Sequence, residues 1–487
     1  MKKVVLCAAV MMVGAISFAQ TSQTTTTGHT AATSQDPVGA NGDAPDTANT
    51  GSSRQEGDNQ RVQARQQGEN NSIETIQSNG AGVGGNQSTA LQLSSLDGFT
   101  SRRNVIYTEQ VGTGNQAFAL QVGDDNDAVI EQGLNDDTSS GNSAYIRQVD
   151  PSEVEEDRNN FAGIQQDGVD NSAFTDQNVS YNDANTIQYG ERNISEIFQD
   201  SESQPSDGAN GEGHDALVEQ LGDDNQSSAS QIGFNRNLLR STQIGNSNSS
   251  EQSQNSFQEP GVGNTAVVNQ GGAIGGFFAP EESDLNDLDT DIDFSAVSGD
   301  SFDGVAFQDQ SGSGNDATIN QFGLGNDSRQ TQSGSENTAL TIQTSEGGGN
   351  ISAQSQVGWS NNAELGQAGA GNLNYQVQHG DSNNSLVSQN GTDNVNNTFQ
   401  YGNYNDARVA QQGVHNAALI VQTGGQSYSV QQNLYSAGGN NQVDAQQTTA
   451  YGTFGDSSAL FHKPGATPGL ELDPHYIPGL DPLHDGN

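Results

Sequence analysis

The chain has 487 residues, with 60 Asp+Glu against 15 Lys+Arg and a formal net charge of −45. Only 30% of residues are apolar while 60 are Gly, too little aliphatic surface to offset the chain entropy of several ordinary cores. A large conventional enzyme is excluded on that ground, and nucleic acid and anionic membranes are excluded because they bind through Lys and Arg that this chain lacks. Disorder remains, or an architecture that stabilises itself by repetition and backbone pairing.

Along the chain, the first segment is a processing signal. Lys2 and Lys3 precede an apolar stretch over residues 4–18, and Ser17-Phe18-Ala19 offers small residues at both cleavage positions. Residues 1–19 therefore read as a Sec signal peptide cleaved after Ala19. A lipoprotein signal on Cys7 fits less well, because Cys7 stands ahead of most of the apolar stretch. Cleavage removes the only Cys, so the exported chain has no disulfide. Residues 20–54 are rich in Thr, Ser and Gly and read as a disordered leader. No later apolar run is long enough to span a bilayer, so no membrane insertion is expected.

From residue 55 onward Gln recurs every eleven residues, as in Gln110, Gln121, Gln132 and in Gln367, Gln378, Gln389, Gln400, Gln411, Gln422. The series from Gln310 runs to Gln354 and resumes at Gln356, which reads as a two-residue slip. Gly follows two places after many of these glutamines and Asn five places after. Ala often precedes by four and a β-branched or aliphatic residue by two, as in Ala128-Val129-Ile130-Glu131-Gln132. Asn, Ala, the aliphatic residue and Gln then share one face of a strand, whose side-chain period is two. The Gly/Asp segments between, such as Gly123-Asp124-Asp125-Asn126, are tight turns. Each unit is one strand plus one turn, and two units make a 22-residue rung.

Stacking such rungs explains the amides. A buried unpaired amide costs about 1–3 kcal/mol, but at a strand spacing of about 4.8 Å each donates to one neighbour and accepts from the next. The expected stacking ladder is Gln110, Asn115, Gln121, Asn126, Gln166, Asn171, Gln177 and Asn182, then Gln310, Asn315, Gln321 and Asn326. It resumes with Gln367, Asn372, Gln378, Asn383, Gln389, Asn394, Gln400, Asn405, Gln411 and Asn416. The fold class is an all-β solenoid of stacked strand–turn–strand rungs. Its blocks are 55–270 and 308–447, separated by an acidic, Gly-rich insertion over 271–307 and followed by a Pro-rich tail over 448–487. Acidic loops interrupt the first block over 150–160 and 200–213.

The segment from Gln110 to Gln121, Gln-Val-Gly-Thr-Gly-Asn-Gln-Ala-Phe-Ala-Leu-Gln, resembles the repeat of the curlin family, the subunits of bacterial curli amyloid. Gln310 to Gln321 matches the same pattern. The resemblance implies a secreted subunit that self-associates into extracellular adhesive fibres and contributes to a biofilm matrix, with a nucleator subunit and an outer-membrane secretion channel as partners. The chain departs from the family in its length, its acidity and its insertions. The alternative reading is a monomeric acidic solenoid adhesin or calcium-binding surface protein.

Motifs for other chemistry are weak. Residues 80–85 fit GxGxxG but without a following helix. His214, His379, His415, His462, His475 and His484 show no ligand spacing and read as solvated. Asp287, Asp289 and Asp291 offer oxygens to calcium, but the Gly and Glu of an EF-hand loop are missing, so a solvated loop is the better reading and no cofactor is expected. Trp359 reads as an outward turn residue. No nucleophile–base pair stands out, so the chain is read as non-enzymatic.

Overall fold

Each eleven-residue unit folds as one strand and one turn, and successive strands alternate between two parallel sheets whose inner faces meet. The computed structural model describes residues 20–24, 30–36, 49–67, 70–79, 84–93, 103–134, 139–149, 160–179, 181–201, 213–233, 236–256, 263–273, 298–345, 347–432 and 439–447. The chain divides into two compact units, Met1–Asn160 and Phe161–Asn487.

In the first unit one sheet pairs Gln20–Thr24, Thr50–Glu56, Ser72–Ser78, Val105–Val111 and Asp127–Gln132. The other pairs Thr30–Asp36, Arg61–Gln67, Gln87–Leu93, Gln116–Val122 and Ser143–Val149. In the second unit the first sheet runs from Phe161–Val169 to Ser427–Gln432, and the second from Ser172–Val179 to Gln442–Gln447. Register is held on the glutamines: Gln55 sits on Gln77, Gln77 on Gln110, and Gln110 on Gln132.

Three expectations change. Part of the segment read as a disordered leader is stranded: Gln20–Thr24 pairs with Thr50–Glu56, and Thr30–Asp36 with Arg61–Gln67. Parallel pairing satisfies backbone groups without requiring an aliphatic side chain, and β-branched Thr suits a strand. The insertion over 271–307 does not divide the stack. Ser249–Ser256 pairs with Val305–Ser313 and Thr265–Gln270 with Asp316–Leu324, placing Gln254 on Gln310 and Gln270 on Gln321. Loop-closure cost grows only with the logarithm of loop length, so a long excursion can return to register. The insertion leaves and re-enters through a small antiparallel pair, Gly272–Ala273 with Ser298–Gly299. Finally, the two-residue slip falls before Gln354 and not after it. Gln356 continues the glutamine ladder on Gln332, whereas Gln354 pairs with Gln330 in the next inward column. The two extra residues lie in the turn before Ile351–Trp359.

Inside each rung the core is narrow. Ala184, Ile197, Ala216, Val218, Ala229 and Leu239 form one buried cluster of the second unit. Small residues opposite β-branched ones let the sheets approach, and each buried Ile or Val contributes about 1.5–3 kcal/mol. The turns need left-handed backbone. Gly391 has φ +128°, and a Cβ there would lie 1.9 Å from the carbonyl oxygen of Gly413 on the adjacent rung. Asp393 also takes positive φ, two residues later, immediately before Asn394.

Candidate assembly site: the stacked amide ladders

The predicted glutamines lie on inner faces and are buried, with exposures from 0 to 2%. In the first unit Gln110 Nε2 donates to Gln132 Oε1 at 2.8 Å and Gln121 Nε2 to Gln148 Oε1 at 2.9 Å. In the second unit Gln166 donates to Gln188 at 2.7 Å and Gln177 to Gln199 at 2.9 Å. Gln310 donates to Gln332 at 2.9 Å and Gln321 to Gln343 at 3.0 Å. The series continues through Gln367 to Gln389, Gln389 to Gln411 and Gln411 to Gln432, all at 2.8 Å. In the opposite sheet Gln378 donates to Gln400 and Gln400 to Gln422, both at 2.9 Å.

The second proton of each amide ties the two sheets together. Gln378 Nε2 also donates to the carbonyl of Asn362 at 2.8 Å, and Gln400 Nε2 to that of Asn384 at 2.8 Å. Both of those carbonyls begin strands of the facing sheet. One glutamine side chain therefore bonds along the stack and across it, which no apolar residue at this position can do.

The asparagines form a separate pair of columns at the strand entrances. Asn394 gives both its backbone N–H and its Nδ2 to Asn372 Oδ1, at 3.1 and 3.0 Å. Its Nδ2 also reaches the carbonyl of Gly413 at 3.0 Å, fixing the turn of the next rung. Asn416 bonds Asn394 in the same way, and Asn405 bonds Asn383. Asn115 Oδ1 accepts from the Asn142 N–H at 3.1 Å, and the Asn126 N–H donates to Asn104 Oδ1 at 2.9 Å. Asn171 accepts from Asn193, Asn182 from the His214 N–H, Asn315 from Asn337 and Asn326 from Asn350.

Residues that the spacing did not single out complete the columns. Gln92, Gln148, Gln243, Gln254 and Gln270 hold ladder positions beside insertions. A second inward glutamine column, Gln252 to Gln308, Gln330, Gln354 and Gln376, replaces the aliphatic core with bonds of 2.8–3.0 Å. Its sequence signal is Gln-x-Gln, as in Gln308-Asp309-Gln310.

His214 corrects an expectation: it is not solvated but fully buried, at an asparagine position of the ladder. Its Nδ1 accepts the Asn237 N–H at 3.3 Å and its Nε2 faces the Asp200 carbonyl at 3.3 Å. The ring replaces an amide because it too offers one acceptor and one donor. His415 Nε2 lies 3.4 Å from Asp393 at a turn, and Trp359 is half-exposed at the end of its strand. The signal segment, residues 80–83, Asp287, Asp289, Asp291, His462, His475, His484 and the Pro-rich tail lie outside the described residues. Among the described residues no group of three or more His, Cys, Asp or Glu is placed to hold a metal, and no helix is long and apolar enough to cross a membrane.

Charge lies on the outside. Asp183 and Asp215 occupy the same outward position on paired strands. Burial, and then Asp215, raise the Asp183 carboxyl above its ordinary range, against the pull of Arg236. Burial raises Asp316 as well, and burial with Glu251 raises Asp309. The opposite case is Asp224, whose carboxyl is lowered by hydrogen bonds of 2.7 and 2.8 Å from Arg192 on an exposed turn.

Two facing parallel sheets joined by amide ladders define a curlin-like β-solenoid. The curlin-associated repeat matches residues 103–133, which cover the strands Val105–Val111, Gln116–Val122 and Asp127–Gln132. No curated protein matches the chain.

Proposed function

We propose that this chain is a structural, non-catalytic subunit of a self-assembling extracellular fibre. The observation that carries the proposal is that the ladder is indifferent to covalent connection. Gln254 and Gln310 are 56 residues apart and bond at 2.8 Å, while Gln378 and Gln400 are 22 apart and bond at 2.9 Å. Rungs recognise one another by register, so a rung of another chain can present the same amides. Among the described residues, Ser427–Gln432 and Gln442–Gln447 are each paired with a strand on one side. On this reading residues 1–19 direct export, an outer-membrane channel and a nucleator subunit serve secretion and initiation, and the fibre supports cell adhesion and a biofilm matrix.

The test is assembly itself. Purified chain is expected to form fibres with reflections at about 4.8 and 10 Å, and fragmented fibres are expected to abolish the lag. A chain that stays monomeric and does not add to its own seeds overturns the proposal in favour of a monomeric surface adhesin.

A further inference from the structure

The two outer faces of the first unit carry opposite charge. On one, the outward residues of Arg61–Gln67, Gln87–Leu93, Gln116–Val122 and Ser143–Val149 include Arg61, Arg65 and Arg147 and no carboxylate. On the other, those of Ser72–Ser78, Val105–Val111 and Asp127–Gln132 include Glu74, Glu109, Asp127 and Glu131 and no cation. The arginine beside this second face, Arg54, stands 3.5 Å from Glu56. All these outward positions are exposed or half-buried, so both faces are open to a partner.

In a chain of net charge −45, arginines are expected against carboxylates, and Arg103, Arg192 and Arg240 do pair with Asp125, Asp224 and Glu219. Arg61 and Arg65 form no ion pair among the described residues. Their register neighbours are neutral: Thr30 and Gln87 flank Arg61, and Ser34 and Leu91 flank Arg65. The carboxylates of the other face are crowded instead. Glu109 and Glu131 sit side by side on paired strands. Burial, the hydrogen bond to Glu109 and the charges of Glu109, Glu131 and Glu74 push the Tyr107 phenol above its ordinary value.

We infer that the arginine face of one copy packs on the carboxylate face of a second copy, joining stacks side by side. The spacings agree. Arg61 and Arg65 are four residues apart on one strand, about 13 Å, and so are Asp127 and Glu131. Each face also has an apolar centre inside its charged rim. On the arginine face Phe118 and Tyr145 stack at 4.6 Å and 7°, beside Leu91 and Leu120; on the carboxylate face Tyr107 lies beside Val129. Because the two faces differ, the contact does not close on itself and can repeat from copy to copy. The patch is only about 300 Å² per copy, from four strands about 4.8 Å apart and about 23 Å long, well under the roughly 800 Å² per partner of a stable complex. Side-by-side contact therefore rests on the fibre proposed above, where many such patches act together.

Charge reversal in seeded fibres of the full chain tests this at about 150 mM NaCl, where screening limits net repulsion to about 8 Å. Arg61→Glu/Arg65→Glu is expected to cut the fraction of fibres in bundles, counted by electron microscopy, at least five-fold, with the rate of growth from seeds within two-fold of the parent. Asp127→Arg/Glu131→Arg is expected to do the same. Mixing the two variant fibres is expected to restore bundling, because each retains the face that the other has lost. Bundling unchanged in both variants overturns the inference. Parent fibres that stay single also overturn it; polygalacturonate binding that is lost in Arg61→Glu/Arg65→Glu would then assign the arginine face to an acidic polysaccharide. A chain that forms no fibres refutes the proposed function, and the side-by-side contact is then decided on the soluble chain. There Arg61→Lys/Arg65→Lys, treated with carbodiimide, is expected to crosslink positions 61 and 65 to Asp127 and Glu131 between isotope-labelled and unlabelled copies, and absence of these crosslinks overturns the inference.

Discussion

Replacing Gln389 by Ala isolates the contribution of one ladder amide. Gln389 accepts from Gln367 Nε2 at 2.8 Å and donates to Gln411 Oε1 at 2.8 Å and to the Leu373 carbonyl at 3.1 Å. Gln367, Gln389 and Gln411 are 0, 0 and 2% exposed, so water cannot replace the missing group. The substitution strands the Gln411 acceptor and leaves the Gln367 Nε2 donor with only its bond to the Ile351 carbonyl, at 3.2 Å. At about 1–3 kcal/mol for each of two under-satisfied groups, the loss is about 2–6 kcal/mol. A solenoid opens by zones rather than all at once, so the loss is read locally, by amide hydrogen exchange over Asn362–Ala370, Asn384–Thr392 and Asp406–Val414. Protection there is expected to fall by a factor of about 30 or more, at 1.4 kcal/mol per decade. Ser382→Ala, at a part-exposed turn, is the control, and a change within about 0.5 kcal/mol is expected. Equal losses in the two variants would refute the assignment of the inward amides as the stacking element.

Gly391→Ala is expected to open the same strands even though no hydrogen bond is deleted, because its Cβ would meet the Gly413 carbonyl oxygen at 1.9 Å; unchanged exchange in Asp406–Val414 would show that the turns have slack. Stability is expected to rise on acidification in the strand Asp316–Leu324. The folded Asp316 carboxyl is raised above its ordinary value of 3.8, so its contribution is fully present below that value and lost as pH rises through the raised one. Exchange over Asp316–Leu324, corrected for intrinsic rate, should therefore be slower at pH 4 than at pH 7, and Asp316→Asn should remove part of the difference; faster exchange at pH 4 refutes the sign. Fibre growth is expected to accelerate between 10 and about 150 mM NaCl, because a net charge of −45 repels incoming chains until screening shortens to about 8 Å; a lag time indifferent to salt would show that charge does not gate assembly.

The inner faces were legible because they obey two local rules at once, a strand period of two and a ladder that demands the same amide on every rung. Gln110, Asn115 and Gln121 could be placed from spacing alone, since nothing intervenes between them. Gln148 and Gln270 could not, because insertions precede or follow them and only spatial register identifies their partners. Gln354 misled for a related reason: a turn lengthened by two residues put it at the expected distance from Gln343, although it belongs to the neighbouring column. His214 escaped because an imidazole matches the amide in bonding and not in residue type. Outer faces were the least legible. Phe399 and Leu419 look like tolerated surface residues in a period-two pattern, yet both are buried, in one cluster with Val377 and Val421.

The two kinds of ladder point in opposite directions along the stack, and that gives assembly its polarity. Gln378 donates forward to Gln400, and its amide cannot flip without losing the Asn362 carbonyl, which accepts only from Nε2. Asn394 donates backward to Asn372, with its backbone N–H fixing Asn372 Oδ1 as the acceptor. The C-terminal side of a rung thus presents glutamine donors beside asparagine acceptors, and the N-terminal side presents the reverse. Turning one rung end for end sets glutamine donor against donor and asparagine acceptor against acceptor, in a region where the ladder residues are buried and each unmet group costs about 1–3 kcal/mol. An incoming rung therefore fits in one orientation. Inserted loops of any length leave this rule intact, because it is written in the rung and not in the connection. The same rule makes the stack parallel within the chain and, on the proposed function, makes a fibre of such chains grow head to tail.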